Sequence, residues 1–268
     1  MSPVPKRRKQ NEASYRSAFS SHTWLGGFPI ATHTTSTLSD ALIAADADGQ
    51  RRVLFFANTN FVVQCQPLLP RMASPEVVIV NDGIGLDIAS MLVHRTRFIE
   101  NLNGTDFVPS FLKAFPRRVR VVLLGARPGV AARAGQALAQ ATGQSVVGAI
   151  DGYEGMRGPD LIQRVNALRP DVVLVAMGNP MQEQWILDHA DEIGARLLMG
   201  VGALFDFMCG DKARAPEWVR RLHMEWFYRL TLEPTRLARR YTVDIGVFLA
   251  LCLRHGRRPF AAQSSQPA

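Results

Sequence analysis

One carboxylate stands where it could act as a general base. Asp82 lies between Asn81 and Gly83, directly after the apolar run 77–80, at the expected end of a buried strand. A carboxylate held there can take the proton from an attacking hydroxyl. The same residue could instead serve as a turn residue or cap the helix that begins near Gly85. Position alone leaves both interpretations open.

A glycine turn follows another apolar run. Gly125 and Gly129 enclose Arg127 immediately after residues 119–124. Backbone N–H groups of such a turn, together with the positive end of the following helix, can hold an anion such as a diphosphate. The alternative is an ordinary strand-to-helix turn. The spacing fits neither a dinucleotide-binding fingerprint nor a P-loop.

Amide and carboxylate side chains follow two further apolar runs. Gln182 and Glu183 come after Gly178 and Pro180, and they offer hydrogen-bond partners for sugar or ribose hydroxyls. Their alternative role is an N-terminal box for a helix. Asp206 follows a glycine-containing strand end and leaves the same two interpretations open.

Uninterrupted apolar runs predict the elements that carry these residues. We expect buried strands at Val53 to Ala57, Val77 to Val80, Val119 to Leu124, Ser145 to Ala149, Asp171 to Met177 and Ala195 to Val201. Helical period is found at Gly85 to Val93, Val130 to Gln140, Pro159 to Ala167 and Gln182 to Ile193. Such a pattern predicts a Rossmann-like α/β fold, a parallel sheet sandwiched by helices. Ligands of these sheets bind at the carboxyl ends of the strands.

The positive charge is concentrated near the end of the chain. Between Lys212 and Arg258 there are eleven Lys or Arg against four Asp or Glu, among several aromatic residues, and the whole chain of 268 residues carries +8. We therefore expect a disordered basic tail (1–20), a core (21–210), a basic aromatic helical appendage (211–258) and a second disordered tail (259–268).

The appendage has three interpretations. A merely solvated surface explains the charge but not the aromatic residues, while a surface that forms a homo-oligomer stays open as an alternative. Nucleic-acid binding fits the charge, yet the sequence has no helix-turn-helix, RRM or zinc signature. A membrane-surface helix fits best, because helices rich in Arg and Trp lie at the headgroup boundary of anionic membranes. We expect an anionic membrane surface as a partner, and no nucleic acid.

Metal and disulfide chemistry are not expected. Cys65, Cys209 and Cys252 are odd in number and far apart, which indicates packing residues in a reducing compartment. The segment 46–48, Asp-Ala-Asp, resembles a metal-binding motif, but it precedes a strand and we interpret it as a solvated turn. Without a signal peptide or a spanning segment, we expect a cytoplasmic protein that binds the membrane peripherally.

Seven short motifs, taken in order, resemble one family. They are NDGIG (81–85), ENLNGTDF (100–107), LLGARPG (123–129), GYEG (152–155), MGNPMQEQW (177–185), GVGALFDF (200–207) and KARAPEWVRRLHMEWFYRLTLEPTRLARRY (212–241). Together they resemble the WecG/TagA/CpsF glycosyltransferases of bacterial cell-surface polymer assembly. The resemblance runs from about residue 24 to about residue 253.

The resemblance implies an inverting enzyme that needs neither metal nor cofactor. Its members transfer a sugar from a UDP-sugar to a polyprenyl-diphosphate-linked sugar at the inner face of the plasma membrane. Asp82 matches the Asp of the family's Asp-Gly motif and is the implied base. Gln182, Glu183 and Asp206 match family motifs, and we assign them to donor contacts. We expect further contacts with the UDP-sugar from Asn58, Gly125, Arg127, Gly129, Tyr153, Glu154 and Gly178. We expect contacts with the acceptor or the diphosphate from Asn60, Asn103, Asp106, Arg214, Arg220 and Arg221.

Two departures from the family pattern bear on the sugar. Phe56 stands where the family often has Thr, and Asn101 stands where Arg often follows Glu. The NLNGTDF segment resembles GumM-type members, which transfer glucose in the assembly of xanthan-like gums. We therefore expect glucose to be transferred in β-linkage to the 4-hydroxyl of a glucosyl-diphosphate-polyprenol. The alternatives are transfer of N-acetylmannosamine or its uronic acid, as in teichoic-acid or enterobacterial-antigen assembly, and a nucleotide-sugar-binding scaffold without catalysis.

Overall fold

Strands and helices alternate along most of the chain. The computed structural model describes residues 19, 21–153, 155–156, 158–212, 215–216, 219, 228, 230–231 and 234–255, with the backbone alone for 234–241. The strands in this part are β1 (His22–Leu25), β2 (Phe28–Ala31), β3 (Arg52–Ala57), β4 (Val77–Asn81), β5 (Arg120–Gly125), β6 (Ser145–Ile150), β7 (Val172–Ala176) and β8 (Leu197–Gly200). The helices are α1 (Thr35–Ala47), α2 (Thr59–Gln64), α3 (Ile84–His94), α4 (Gly104–Ala114), α5 (Val130–Thr142), α6 (Leu161–Ala167), α7 (Met181–His189), α8 (Leu204–Met208) and α9 (Pro234–His255).

The eight described strands form one sheet in the order β1-β2-β4-β3-β8-β7-β5-β6. The β1–β2 pair is antiparallel and the other pairs are parallel. The six predicted strands are confirmed. The β1–β2 hairpin was not predicted, because its strands are short and β1 begins with the polar residues His22 and Thr23.

The sheet is covered on both faces, as its apolar strands predict. Alternate residues of β5 show this: Val122 and Leu124 belong to one buried cluster, and Val121 and Leu123 to the other. Helices α2, α3, α6, α7 and α9 contribute buried side chains to the first cluster. Helices α1, α4, α5 and α8 contribute to the second. The expected sandwich of helices around a parallel sheet is therefore confirmed.

A crevice is expected where the helices that follow neighbouring strands leave for opposite faces. Helix α2 follows β3 and places Phe61 on the first face, whereas α8 follows the adjacent β8 and places Phe205 on the second. Helix α7 follows β7, on the other side of β8, and returns to the first face through Ile186. The carboxyl ends of β3, β8 and β7 therefore bound the crevice.

The last turns of the C-terminal helix are part of the core. In α9, Phe248 and Cys252 are buried in the first cluster, and the helix packs against α2 and α3. The last turns of α9, which fall within the appendage expected at 211–258, therefore pack into the core. The bounds of the appendage stay a prediction. Among the described helices, none combines the length and the apolarity that crossing a bilayer requires.

The Asp-Ala-Asp segment differs from the solvated turn that we expected. Asp46 is only 7% exposed and forms ion pairs with Arg117 at 2.9 Å and with Arg196 at 3.3 Å. Arg117 also pairs with Asp171, at 3.0 Å. Arg196 and Asp171 directly precede β8 and β7, so the cluster lies at the amino ends of the strands. Asp46 thus stabilises the edge of the sheet opposite the crevice.

Candidate functional site

Asp82 is fixed by its neighbours at the end of β4. Its backbone N–H donates to the carbonyl oxygen of Ala57 at 2.7 Å, which extends the β3–β4 ladder by one residue. The next residue, Gly83, has φ +90° and donates its N–H to Asn101 Oδ1 at 2.6 Å. The Asn81 side chain donates to the carbonyl oxygen of Glu100 at 2.9 Å. Asp82 is half-buried just before α3. A general base needs such partial exposure, because it must contact a substrate.

The predicted acceptor residues Asn103 and Asp106 lie at the same end of the sheet. Leu102, just before them, donates its N–H to the carbonyl oxygen of Asn81 at 3.1 Å. Asn103 Oδ1 caps α4 by accepting from the N–H of Asp106 at 2.9 Å, and its Nδ2 donates to Asp106 Oδ2 at 2.9 Å. The fold thus brings Asn103 close to the strand end that carries Asp82.

A buried amide–carboxylate network joins the ends of β7 and β8. Gln182 Oε1 accepts from the N–H of Gly202 at 2.9 Å and from the N–H of Gly178 at 3.2 Å. Gln182 Nε2 donates to Glu183 Oε1 at 2.7 Å, and Asn179 Nδ2 donates to the same oxygen at 2.7 Å. Gln182 and Glu183 are 3% and 1% exposed. Their side chains therefore hold the turns at the ends of β7 and β8 together. Direct contacts of Gln182 and Glu183 with the donor stay a prediction.

Glu183 sits in an unusual environment for a carboxyl group. Burial raises its pKa above the usual value, although the hydrogen bonds from Gln182, Asn179 and the Cys65 thiol act in the opposite direction. The Cys65 Sγ lies 3.7 Å from Glu183 Oε2, and burial raises the pKa of this thiol as well. Cys65 is a packing residue, as predicted, that also completes the network.

Asn179 and Asn60 bring this network to the β3 side of the crevice. Asn60 Nδ2 donates to Asn179 Oδ1 at 3.5 Å, and both residues are half-buried. Asn58, two residues earlier, caps α2 by accepting from the N–H of Phe61 at 3.1 Å. Sequence reasoning did not single out Asn179, although its place between Gly178 and Pro180 in a quoted motif was a usable signal.

The glycine turn forms as predicted after β5. Gly125 has φ +112°, and a Cβ there would overlap the carbonyl oxygen of Ala176 on β7. Gly129, with φ +78°, lies at the start of α5. Between them, Arg127 lies 3.6 Å from Asp206 and 3.5 Å from Asp211. The predicted donor residues Arg127 and Asp206 are thus brought together.

Tyr153 lies beyond the glycine turn, away from Asp82. It follows β6, the strand next to β5, and is 52% exposed. The N–H of Gly152 donates to the carbonyl oxygen of Ala126 at 2.9 Å, which fixes this loop to the turn. Four further predicted site residues lie outside the described residues: Glu154, Arg214, Arg220 and Arg221.

The order of the strands separates Asp82 from the glycine turn. The ends of β4 and β5 lie at the same edge, but β3, β8 and β7 stand between them. Four strand intervals of about 4.8 Å separate Asp82 from Gly125 by about 19 Å. We expected one diphosphate to lie on the glycine turn while Asp82 served the sugar bonded to it. This spacing corrects that arrangement, because both contacts cannot be made to adjacent atoms of one ligand.

The described residues contain no cluster of three or more His, Cys, Asp or Glu side chains that could hold a metal ion. Among the described residues, the polar groups at the carboxyl edge include amides, carboxylates, Arg127, and Lys212, which lies 3.8 Å from Asp206. This set can bind hydroxyls and take up a proton.

Comparison with known proteins identifies relatives over most of the chain. A family model described as "Glycosyl transferase WecG/TagA/CpsF family" matches residues 23–261. A protein of Staphylococcus aureus strain MRSA252, named N-acetylglucosaminyldiphosphoundecaprenol N-acetyl-beta-D-mannosaminyltransferase, is 31% identical over 211 residues, which are 72% of this chain and 82% of that protein. A protein of the same name from strain NCTC 8325 / PS 47 matches with the same identity and coverage.

Proposed function

The chain belongs to the WecG/TagA/CpsF family of glycosyltransferases, and from this premise we propose that it transfers N-acetylmannosamine from a UDP-sugar to polyprenyl-diphosphate-linked N-acetylglucosamine. The names of its relatives support this sugar and this acceptor. They favour the transfer of N-acetylmannosamine, an alternative given in the sequence analysis, over the transfer of glucose.

The proposal depends most on the position of Asp82. This carboxylate matches the family's Asp-Gly motif and is held half-buried at the carboxyl edge by the anchored backbone around it. In the proposed single displacement, Asp82 takes the proton from the acceptor's 4-hydroxyl, whose oxygen bonds to the anomeric carbon. The bond from that carbon to the diphosphate breaks, and UDP leaves with the electron pair from the opposite face, giving a β-linkage.

The donor then has to lie along the carboxyl edge. A UDP-sugar has its nucleoside at one end, its sugar at the other and the diphosphate between them. We place the nucleoside near the β5 turn, where the exposed Tyr153 offers an aromatic face for the base. The diphosphate then crosses the ends of β7 and β8, and the sugar reaches the β3–β4 side near Asp82. This arrangement accommodates the distance of about 19 Å between Asp82 and the turn.

The charge of the departing diphosphate needs positive partners. Asn60 and Asn179 can donate hydrogen bonds over the middle of the edge. Arg214, Arg220 and Arg221 remain the proposed cationic partners, because guanidinium groups bind phosphate oxygens in pairs. In this proposal these arginines do the work that a metal ion does in other transferases.

Glucose remains a second candidate sugar because of Phe56. This ring is 7% exposed, packs 5.8 Å from the ring of Phe107 and lies against Gly104. It removes the hydroxyl that a Thr would place at this end of β3. A donor pocket without that hydroxyl could favour a different sugar substituent.

A donor panel tests the proposal. The purified chain is incubated with polyprenyl-diphosphate-linked N-acetylglucosamine or glucose and, in turn, with UDP-N-acetylmannosamine, UDP-glucose or UDP-N-acetylglucosamine. Released UDP and the mass of the lipid product are measured, with Asp82→Asn as the control. The proposal expects the N-acetylmannosamine product with the N-acetylglucosamine acceptor. A glucose product would establish the second candidate, and a chain that binds UDP without releasing it from any donor would be a scaffold.

A further inference from the structure

Exposed apolar side chains are concentrated on one face of the molecule. Of the ten large hydrophobic side chains exposed among the described residues, four lie on α3, one lies just after it, and three lie on α9. They are Ile84, Ile88, Met91, Leu92, Ile99, Val243, Val247 and Leu253. Single exposed hydrophobic residues are common in soluble proteins, but a group on adjacent helices marks an interaction site. We call this group the α3–α9 face.

The outward side of both helices is apolar along most of its length. On α3 the exposed positions 84, 88, 91 and 92 carry no charge. On α9 the exposed positions from 243 to 253 are Val243, Gly246, Val247, Ala250 and Leu253, again without a charge. The two helices pack against each other, and Phe248 and Cys252 anchor α9 from its inner side. The exposed apolar sides therefore belong to two neighbouring helices on a fixed support.

Basic residues border the face at one end. Arg95 and Arg97 are exposed just after α3, and Arg254 is exposed at the end of α9. Both helix ends lie beside the β1–β2 hairpin, because His94 Nε2 contacts the carbonyl oxygen of Trp24 at 2.7 Å and Leu251 lies next to Gly26. Apolar side chains bordered by arginines are typical of surfaces that lie in the headgroup region of an anionic bilayer.

We infer that the α3–α9 face is a membrane-contact surface, so that membrane contact extends beyond the appendage expected at 211–258 onto α3 of the core. Two neighbouring helices present a broad surface, which suits a bilayer better than a single extended chain. The carboxylates nearest the face are Asp87 and Asp244, which are half-buried, and Glu100, which accepts a hydrogen bond from the N–H of Thr35. The exposed arginines at the border thus favour an anionic bilayer, which supplies both hydrocarbon and negative charge, over a second copy with the same arginines.

The position of the face relative to Asp82 gives it a function. Ile84, the first residue of the face, lies two positions after Asp82 at the start of α3. A bilayer against the face brings the headgroup region, and with it a lipid-linked diphosphate sugar, to the end of β4. Only this delivery of the acceptor rests on the proposed function. The exposed apolar side chains of the face are observed independently of it.

Vesicle binding by the full chain tests the inference. The variant Ile88→Gln with Leu92→Gln removes two exposed apolar side chains, and Ile88→Leu with Leu92→Ile is a matched control that keeps the hydrocarbon. Binding to vesicles of phosphatidylglycerol and phosphatidylethanolamine is measured by flotation. We expect the Gln pair to reduce partitioning at least about tenfold, while the control partitions like the unmodified chain. The pair Val243→Gln with Val247→Gln repeats the test on α9 should the first variant fail to fold.

Two results would overturn the inference. One is equal partitioning of both Gln pairs and the unmodified chain. The other is a dimer of the unmodified chain that the Gln pairs turn into a monomer, with vesicle binding unchanged, since the face would then bind a second copy. Sugar transfer to a short-chain, water-soluble acceptor without vesicles is measured in parallel. We expect the folded Gln variants to retain it; if the unmodified chain shows no transfer there, the proposed function fails while flotation still decides the role of the face.

Discussion

Replacing Gln182 by Ala tests whether the buried network holds the crevice together. The substitution removes hydrogen bonds of 2.9 Å to the N–H of Gly202, 3.2 Å to the N–H of Gly178 and 2.7 Å to Glu183. Each lost bond costs about 1 kcal/mol, and more where a buried group is left unpaired, so the free energy of unfolding should fall by about 3 kcal/mol. Urea denaturation followed by circular dichroism measures this change.

A second glutamine of the same helix, Gln184, provides the control for this prediction. Gln184 is exposed on the same helix, so Gln184→Ala should change the free energy of unfolding by less than about 0.5 kcal/mol. Gln182→Glu keeps an acceptor for both glycine N–H groups but sets a second carboxylate against Glu183. Its destabilisation should therefore grow from pH 5 to pH 8 as like charges develop. A Gln182→Ala protein within about 1 kcal/mol of the unmodified chain would show that the network is not structurally important.

Three further predictions concern the same edge of the sheet. Burial raises the pKa of Glu183 above its ordinary value of 4.5, so the stability that Glu183 contributes is complete below pH 4.5 and is lost as the pH rises through the raised pKa. The difference in the free energy of unfolding between the unmodified chain and Glu183→Gln should therefore shrink as the pH rises from 4.5, and a constant difference would refute this. Gly125→Ala should lower the free energy of unfolding by at least about 2 kcal/mol, because the added Cβ meets the Ala176 carbonyl oxygen. Gly143→Ala, at a position that also has positive φ but open space, should lower it by about 1 kcal/mol. Equal melting temperatures of the two variants would contradict the clash. Sugar transfer should be unchanged by EDTA, and a loss that Mg²⁺ or Mn²⁺ restores would mean that a metal takes part.

The sequence predicts the strands well because burial on both faces requires uninterrupted apolar runs. It also places the polar residues at the carboxyl edge, since each directly follows such a run. It does not give the order of the strands, which depends on long-range packing. That order alone determines that Asp82 lies close to β3 and Gly125 lies four strands away. The partners of a side chain are equally hidden: Gln182 and Glu183 have the right chemistry to bind a sugar, but the fold turns them inward.

Long-range packing also explains why the sequence did not predict the surroundings of Asp46 and of the C-terminal helix. Nothing local shows that Arg117 and Arg196, far along the chain, converge on Asp46. The charge of the segment from Lys212 indicated an added unit, yet Phe248 and Cys252 return α9 to the core. Charge and periodicity describe one segment at a time, whereas burial depends on which segments meet.

The most direct measurement is turnover and UDP binding by Asp82→Asn. The substitution keeps the shape of the side chain, and the anchors at Ala57 and Asn101 involve the backbone of residues 82 and 83, so the fold should be retained. If Asp82 is the general base, kcat should fall by about 10²-fold or more while the UDP dissociation constant, measured by calorimetry, stays unchanged. Near-normal turnover would contradict the account, because the proton would then be taken up by another group.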